Sequence, residues 1–175
     1  MTQRIDGVIL LDKPPVMSSQ SAVTAVKRHF KAEKAGHTGT LDPLATGLLP
    51  VCLGEATKYS QDLLNADKTY QATLHFGIET DTADADGQII SQKSMTEPID
   101  DDKARHLIET ILPQFVGQIN QTPPMYSALK RDGKPLYEYA RSGVELEREP
   151  RQITIYSIQL LSMSWPYASI EVHCS

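Results

Sequence analysis

Residues 36–47 read GHTGTLDPLATG and contain the most distinctive candidate for chemistry in this chain. One carboxylate, Asp42, stands among three glycines, with His37 five positions before it and no cysteine or second carboxylate close by. An aspartate is ionised at neutral pH without a helper residue, so it can act alone as a nucleophile or general base. The glycines permit backbone conformations and close ligand approach that other residues resist. The stretch is therefore a candidate for a site at which a ligand meets Asp42.

The side chains of this stretch also have purely structural interpretations. The Asp42-Pro43 pair is typical of a helix start, with the aspartate as the cap, the proline at the first helical position and Gly47 closing a single turn. His37 has three interpretations, as an acid or base near neutral pH, as a ring that stacks on unstacked bases, and as an ordinary surface or packing residue. The local sequence leaves these interpretations open.

Two further features bear on ligands. Tyr70 begins a predicted strand, where an aromatic ring either packs in a core or lies under a bound base. The acidic stretch TDTADADG looks like a calcium loop, but aligning Gly87 with the sixth loop position puts Lys93 where a bidentate Glu is required. We therefore predict no metal site. The sequence also lacks a glycine-rich nucleotide-binding motif, and no cofactor is predicted.

The elements that must position these residues are a mixture of predicted strands and helices. GVILLDKPP predicts a buried strand, and SSQSAVTAVKRHF predicts an amphipathic helix that is capped by Ser18 or Ser19 and has a basic outer face. Further strands are predicted in TYQATLHFG and QIIS, as a hairpin-like unit, and in RQITIYSIQLLSMSW and ASIEVHCS. Further helices are predicted in IDDDKARHLIETIL and PLYEYAR. Hairpins with intervening helices favour an α+β sheet over a doubly wound one.

Composition is that of a globular protein with one core and favours a single domain. The 175 residues are 40 % hydrophobic and 22 % charged, and Cys52 and Cys174 are predicted to be reduced and buried. The net charge of −5 argues weakly against a nucleic-acid partner, but residues 13–34 hold five basic residues against one acidic residue. The sequence shows no apolar run of membrane-spanning length and no signal peptide, which predicts a cytoplasmic protein without a membrane partner.

Several separate blocks together resemble one family, the TruB-type tRNA pseudouridine synthases. GVILLDKP with the following Met17-Ser18-Ser19 is similar to the first family motif, and AGHTGTLDPLATGLLPVCLGEATK is similar to the catalytic block. KTYQA, TDTADADG, QTPPMYSALK and GKPLYEYAR follow in the family's order. The resemblance covers nearly the whole chain. It implies conversion of uridine 55 in the T loop of tRNA to pseudouridine, without a cofactor.

The resemblance also implies roles for residues and a fold. Asp42 is the catalytic aspartate, His37 helps to hold the flipped-out strand and Tyr70 stacks on the target uracil. The remaining candidates for substrate binding are Gly39, Thr40, Leu41, Lys13 and Lys58. The implied fold is α+β, a pseudouridine synthase fold with a mixed, largely antiparallel sheet flanked by helices and loops and truncated on its C-terminal side. The implied partner is the tRNA T stem-loop, with no obligate protein partner evident.

The chain departs from the family pattern at two places. Val16 stands where the family often has glycine. The family also continues past HCS into a strand like Lys-Gly-Thr-Tyr-Ile-Arg, whose tyrosine lines the pocket and whose arginine pairs with the catalytic aspartate. We therefore expect residues 1–175 to be the N-terminal portion of one catalytic domain, without the C-terminal RNA-binding domain. Two alternatives stay open, a non-catalytic RNA-binding module or inactive fragment, and an aspartate-dependent glycosidase.

Overall fold

The computed structural model describes residues 2–93 and 99–175 and divides into two compact units, residues 1–66 and 67–175. Over the described residues 2–66, the first unit contains three strands and two helices, with a 3-10 helix at Gly54–Tyr59. In chain order these are β1 (Gly7–Lys13), α1 (Ser19–His29), β2 (Ala35–His37), β3 (Gly47–Leu53) and α2 (Ser60–Leu64). The strand β3 lies between β1 and β2, and both pairings are antiparallel.

The core of the first unit lies between β3 and α1. Leu49, Val51 and Leu53 alternate on one side of β3, and they pack with Ala22, Val23 and Val26 of the helix. Burial of side chains of this size contributes roughly 1.5–3 kcal/mol each. The strand β1 is confirmed, but the prediction that it is buried holds for only one of its two faces.

The strand β1 has one packed face and one open face. Ile9 and Leu11 pack on the core, whereas Val8 is 48 % and Leu10 is 70 % exposed. The reason is that α1 covers a single side of this three-stranded sheet, so alternate side chains point away from it.

The helix α1 begins as predicted. Ser18 is its N-cap, and the Ser18 hydroxyl oxygen accepts a hydrogen bond from the Ser21 N–H at 3.1 Å. Lys27 and Arg28 are exposed on the outer face, which confirms the basic face. Phe30 is 39 % exposed rather than buried, because the helix ends at His29 and Phe30 is already its C-cap.

In its described residues, 67–93 and 99–175, the second unit contains eight strands and two helices, with a 3-10 helix at Leu112–Phe115. Its strands are β4 (Lys68–His75), β5 (Ile78–Thr80), β6 (Ile89–Gln92), β7 (Gly117–Gln121), β8 (Lys130–Arg131), β9 (Lys134–Pro135), β10 (Arg151–Ser164) and β11 (Tyr167–Cys174). Its helices are α3 (Asp101–Ile111) and α4 (Leu136–Arg141). The main sheet has the order β4-β11-β10-β7, with antiparallel neighbours throughout.

The core of the second unit lies between this sheet and α3. Ala104 and Ile108 of the helix pack with Met163, Ala168 and Ile170 of β10 and β11. Asp100 caps α3 by accepting from the Lys103 N–H at 2.9 Å. The α+β class is confirmed by this architecture, with helices packed on antiparallel sheets.

The hairpin-like unit differs from its prediction. QIIS pairs as β6 with the short β5, whereas β4 pairs along its whole length with β11. Gly77, at φ 83°, turns the chain between β4 and β5, so the two strands are separate elements. The sequence pattern indicated the strands but not which of them are neighbours. No helix among residues 2–93 and 99–175 is long and apolar enough to cross a membrane.

Candidate active site

Asp42 lies in an exposed turn of the connection between β2 and β3. The Ala45 N–H donates to the Asp42 carbonyl at 3.0 Å, which closes a single β-turn. The interpretation of Asp42-Pro43 as a helix start is therefore wrong. The neighbouring backbone groups bond to residues outside the turn instead of to a following helical turn. The carboxylate is left at the surface, where a ligand has access to it.

Two of the three glycines adopt conformations that other residues rarely adopt. Gly39 has φ 154° and Gly47 has φ 116°, and they flank Asp42 on either side. Gly36 lies inside β2, opposite Cys52. The stretch therefore needs glycine at two positions, Gly39 just after β2 and Gly47 at the start of β3, where the backbone has a positive φ.

His37 is the last residue of β2 and lies opposite Val51 in β3. The ring is half-buried, and its Nδ1 accepts a long hydrogen bond of 3.4 Å from the Gly39 N–H. Thr38 is buried, and its N–H donates to the Pro50 carbonyl at 3.3 Å. The base of the connection is therefore fixed to β3, and the chain becomes exposed at Thr40.

Leu41 is held by Ser19, the first residue of α1. The Leu41 N–H donates to the Ser19 hydroxyl oxygen at 2.9 Å, and the same hydroxyl donates to the Leu41 carbonyl at 2.9 Å. Ser19 is 2 % exposed, and the half-buried Leu41 side chain packs on the first core. The residue before Asp42 is thus anchored to a rigid helix.

Lys13, one of the predicted substrate-binding residues, is fully buried, and its predicted contact with RNA stays a prediction. Its ammonium donates to the carbonyls of Met17 at 2.7 Å, Pro14 at 3.0 Å and Pro43 at 3.4 Å. An ammonium has three N–H groups, and three carbonyl oxygens satisfy them. Lys13 therefore supports the residue after Asp42 from inside the protein.

Lys58 lies in the 3-10 helix after β3 and has an exposed side chain. It bonds to Glu55 three positions earlier. This hydrogen bond and the accompanying charge attraction raise the pKa of Lys58 and lower that of Glu55. The structure thus gives Lys58 a local partner within its own helix, and its proposed contact with RNA stays a prediction.

Tyr70 lies in the second unit, on β4 opposite Val172 of β11. By the alternation of a strand, its side chain shares a face with Leu74, which packs on the second core together with Val172. The ring is 46 % exposed, so it continues the apolar face of the sheet beyond its covered part. Burial is the main cause that raises the pKa of the Tyr70 hydroxyl above its ordinary value.

The acidic stretch after β5 serves as a turn. The Asp84 carboxylate accepts from the Thr82 hydroxyl at 2.6 Å and from the Asp86 N–H at 3.0 Å, while Asp81 accepts from the Gln88 N–H at 2.8 Å. In the part of the chain that the structure describes, no group of His, Cys, Asp and Glu side chains is arranged to hold a metal ion.

The structure thus brings most predicted site residues together in the first unit. The turn at Asp42 follows directly after His37, Gly39, Thr40 and Leu41 in the chain. The Lys13 ammonium donates a hydrogen bond to the Pro43 carbonyl of this turn. Sequence reasoning missed the contact of Ser19 with Leu41. The signal was the adjacent pair Ser18-Ser19, of which one hydroxyl suffices as the helix cap and the other is available for a different bond.

A family model described as "TruB family pseudouridylate synthase (N terminal domain)" matches residues 27–175. A tRNA pseudouridine synthase B of Pasteurella multocida is 56 % identical over 171 residues, which cover 98 % of this chain and 54 % of the relative. The enzyme of the same name from Dechloromonas aromatica is 55 % identical over 173 residues, covering 99 % and 56 %. The chain spans about half the length of the curated relatives it matches.

Solved structures show the same fold. A chain of a Cbf5-Nop10-Gar1 complex has a TM-score of 0.67 and 32 % identity, with 96 % of this chain and 39 % of that chain covered. A chain of an H/ACA RNP bound to a substrate RNA containing 2'-deoxyuridine has a TM-score of 0.62 and 28 % identity, with 96 % and 37 % covered. The predicted family resemblance and fold are both confirmed by these comparisons.

Proposed function

The chain belongs to the TruB family of pseudouridylate synthases, and from this membership we propose that the protein isomerises uridine 55 in the T loop of tRNA to pseudouridine. Residues 1–175 are the N-terminal portion of one catalytic domain in this proposal. The observation that carries it is the placement of Asp42, whose carboxylate is exposed on a turn while the backbone on both sides is held.

The reaction requires no outside group. The bond between C1′ of the ribose and N1 of uracil breaks, the base turns within the site, and C1′ bonds to C5. The hydrogen on C5 leaves as a proton and N1 gains one, so there is no net oxidation or reduction. An ionised aspartate is suited to start such a sequence without a helper residue, as a nucleophile or as a base.

The base must first leave the folded loop. Flipping a nucleotide costs a few kcal/mol, and stacking on an aromatic ring returns about 1–3 kcal/mol per base. Tyr70 is proposed as that ring, since it is part-exposed, neutral near pH 7 and continuous with an apolar sheet face. His37, Gly39, Thr40 and Leu41 are proposed to line the path of the RNA to Asp42, with Lys58 as a further contact.

The test uses the complete gene product that contains this chain and a T stem-loop RNA labelled with tritium at C5 of every uridine. We expect release of one tritium per RNA, and none when position 55 is cytidine. Retention of the RNA in a gel-shift assay without release would favour the alternative of a non-catalytic RNA-binding module. Free uracil in the products would instead indicate a glycosidase.

A further inference from the structure

Ser18 and Ser19 are adjacent in sequence, but their hydroxyl groups form hydrogen bonds with different parts of the protein. The Ser18 hydroxyl caps α1 through the Ser21 N–H and also bonds to the Ser21 hydroxyl at 2.8 Å, at the exposed end of the helix. The Ser19 hydroxyl is buried and makes two hydrogen bonds, each of 2.9 Å, with the backbone of Leu41. The helix therefore does not need the Ser19 hydroxyl for its own cap.

The carbonyl that Ser19 holds belongs to the peptide group between Leu41 and Asp42. A peptide group is planar, so fixing the Leu41 carbonyl and N–H sets the direction in which the chain enters Asp42. The next residue is Pro43, which restricts Asp42 to extended backbone conformations. The backbone of Asp42 therefore has little conformational freedom, and the main remaining freedom is the rotamer of its side chain.

The anchor itself is rigid. Ser19 begins a helix whose Ala22 and Val23 are 1 % and 3 % exposed in the first core. A hydroxyl on such a helix changes position much less than one on a loop, because moving it would disturb the packed core. The Leu41 side chain packs on the same core, which adds an apolar contact to the two hydrogen bonds.

We infer that Ser19 is a positioning residue, which holds the Leu41 backbone so that the Asp42 carboxylate meets the substrate in a reactive orientation. This inference rests on the proposed function, since it concerns how the same carboxylate is aimed. A displacement of about 1 Å at a reacting group can lower a rate about 100-fold. A residue that acts only in this way changes the rate of the chemical step more than the affinity for RNA.

The test compares Ser19→Ala with Ser18→Ala in the complete gene product. Ser18→Ala removes the helix cap and is expected to lower Tm by a few degrees, with kcat for tritium release unchanged. Ser19→Ala is expected to lower kcat by about 10-fold or more, with KM for the T stem-loop RNA within about twofold of wild type. Ser19→Cys keeps the size and part of the bonding capacity of serine, and it should restore part of kcat.

A second readout reports on the contact directly. With selective 15N-leucine labelling, the exchange rate of the Leu41 amide hydrogen should rise by about 10-fold or more in Ser19→Ala, while that of the Leu49 amide in β3 stays unchanged. Wild-type kcat in Ser19→Ala, or an unchanged Leu41 exchange rate, would overturn the inference. A different result would contradict the proposed function, namely tritium release by Asp42→Asn. That result is independent of the outcome for Ser19→Ala.

Discussion

The buried Lys13 ammonium lies 3.4 Å from the carbonyl oxygen of Pro43, across thirty positions of sequence. The same carbonyl accepts a hydrogen bond of 2.8 Å from the Val16 N–H. The loop after β1 and the turn that carries Asp42 are therefore joined through the Pro43 carbonyl. Together with the contact of Ser19 and Leu41, these bonds hold the residues before and after Asp42.

Replacing Lys13 with Met is expected to destabilise the protein, because three carbonyl oxygens lose a charged donor. Hydrogen bonds to charged groups contribute about 1.5–3 kcal/mol each, and buried carbonyls without a partner add a cost. We predict a decrease of about 2–4 kcal/mol in the free energy of unfolding, measured by urea denaturation. Lys58→Met removes only an exposed ion pair and should change it by less than about 1 kcal/mol. Equal losses for both variants would contradict this assignment.

Replacing Val16 with Gly is expected to stabilise the protein. Val16 has φ 62° and its side chain is 92 % exposed, so the strain of a β-branched residue in the left-handed region brings no packing in return. Relief of about 1–2 kcal/mol, less the extra chain entropy of glycine, gives a net gain of about 0.5–1 kcal/mol in the free energy of unfolding.

The matched control for this prediction is Val116→Gly. Val116 is also exposed, but its φ is −77°, so the substitution adds chain entropy without relieving strain. It should destabilise the protein. A loss of stability in Val16→Gly as large as in the control would show that residue 16 is not strained.

Val16 also illustrates how far sequence alone reaches. The resemblance implies that the family often has glycine at this position, and the positive φ of Val16 gives a physical reason for such a preference. The capping serine of α1, the helix α3 and the two long strands on either side of Pro166 follow from local spacing and were predicted correctly. Each of these features depends on residues that are neighbours in the chain.

The misses concern contacts between distant residues. The pairing of β4 with β11 joins residues about one hundred positions apart, and period-two alternation carries no information about a partner. The contacts of Ser19 with Leu41 and of Lys13 with Pro43 likewise depend on how α1 packs on the sheet. Asp42 was singled out by its unusual neighbours, but the turn that exposes it is held by these distant contacts.

The ring of Tyr70 is expected to matter more than its hydroxyl. Tyr70→Phe keeps the stacking surface and should retain tritium release within about threefold of wild type. Tyr70→Leu removes stacking worth about 1–3 kcal/mol per base, which predicts a fall of roughly 5- to 150-fold in kcat/KM on the T stem-loop RNA. Full activity in Tyr70→Leu would exclude this residue as the stacking ring.

Tyr70 should also contribute to the loss of stability at alkaline pH. Burial raises the pKa of its hydroxyl above the ordinary value of 10.0, so the unfolded chain ionises first as the pH rises. The neutral phenol therefore contributes fully below about pH 10, and its contribution is lost as the pH rises through the higher folded-state pKa. Tm measured between about pH 8.5 and 11.5 should fall less steeply in Tyr70→Phe than in wild type. Tyr59→Phe, at a 66 % exposed position, is the control, and a slope equal to that of Tyr70→Phe would contradict the prediction.

The central claim is that the Asp42 carboxylate starts the isomerisation, and Asp42→Asn tests it most directly. Asparagine has the same shape and the side chain is exposed, so folding and RNA affinity should stay close to wild type. Asp62→Asn makes the same chemical change on the exposed face of α2 and serves as the control. We predict that Asp42→Asn lowers tritium release from the labelled T stem-loop RNA about 1,000-fold or more, with Kd for the RNA within about twofold. Release by Asp42→Asn at the rate of Asp62→Asn would contradict the claim.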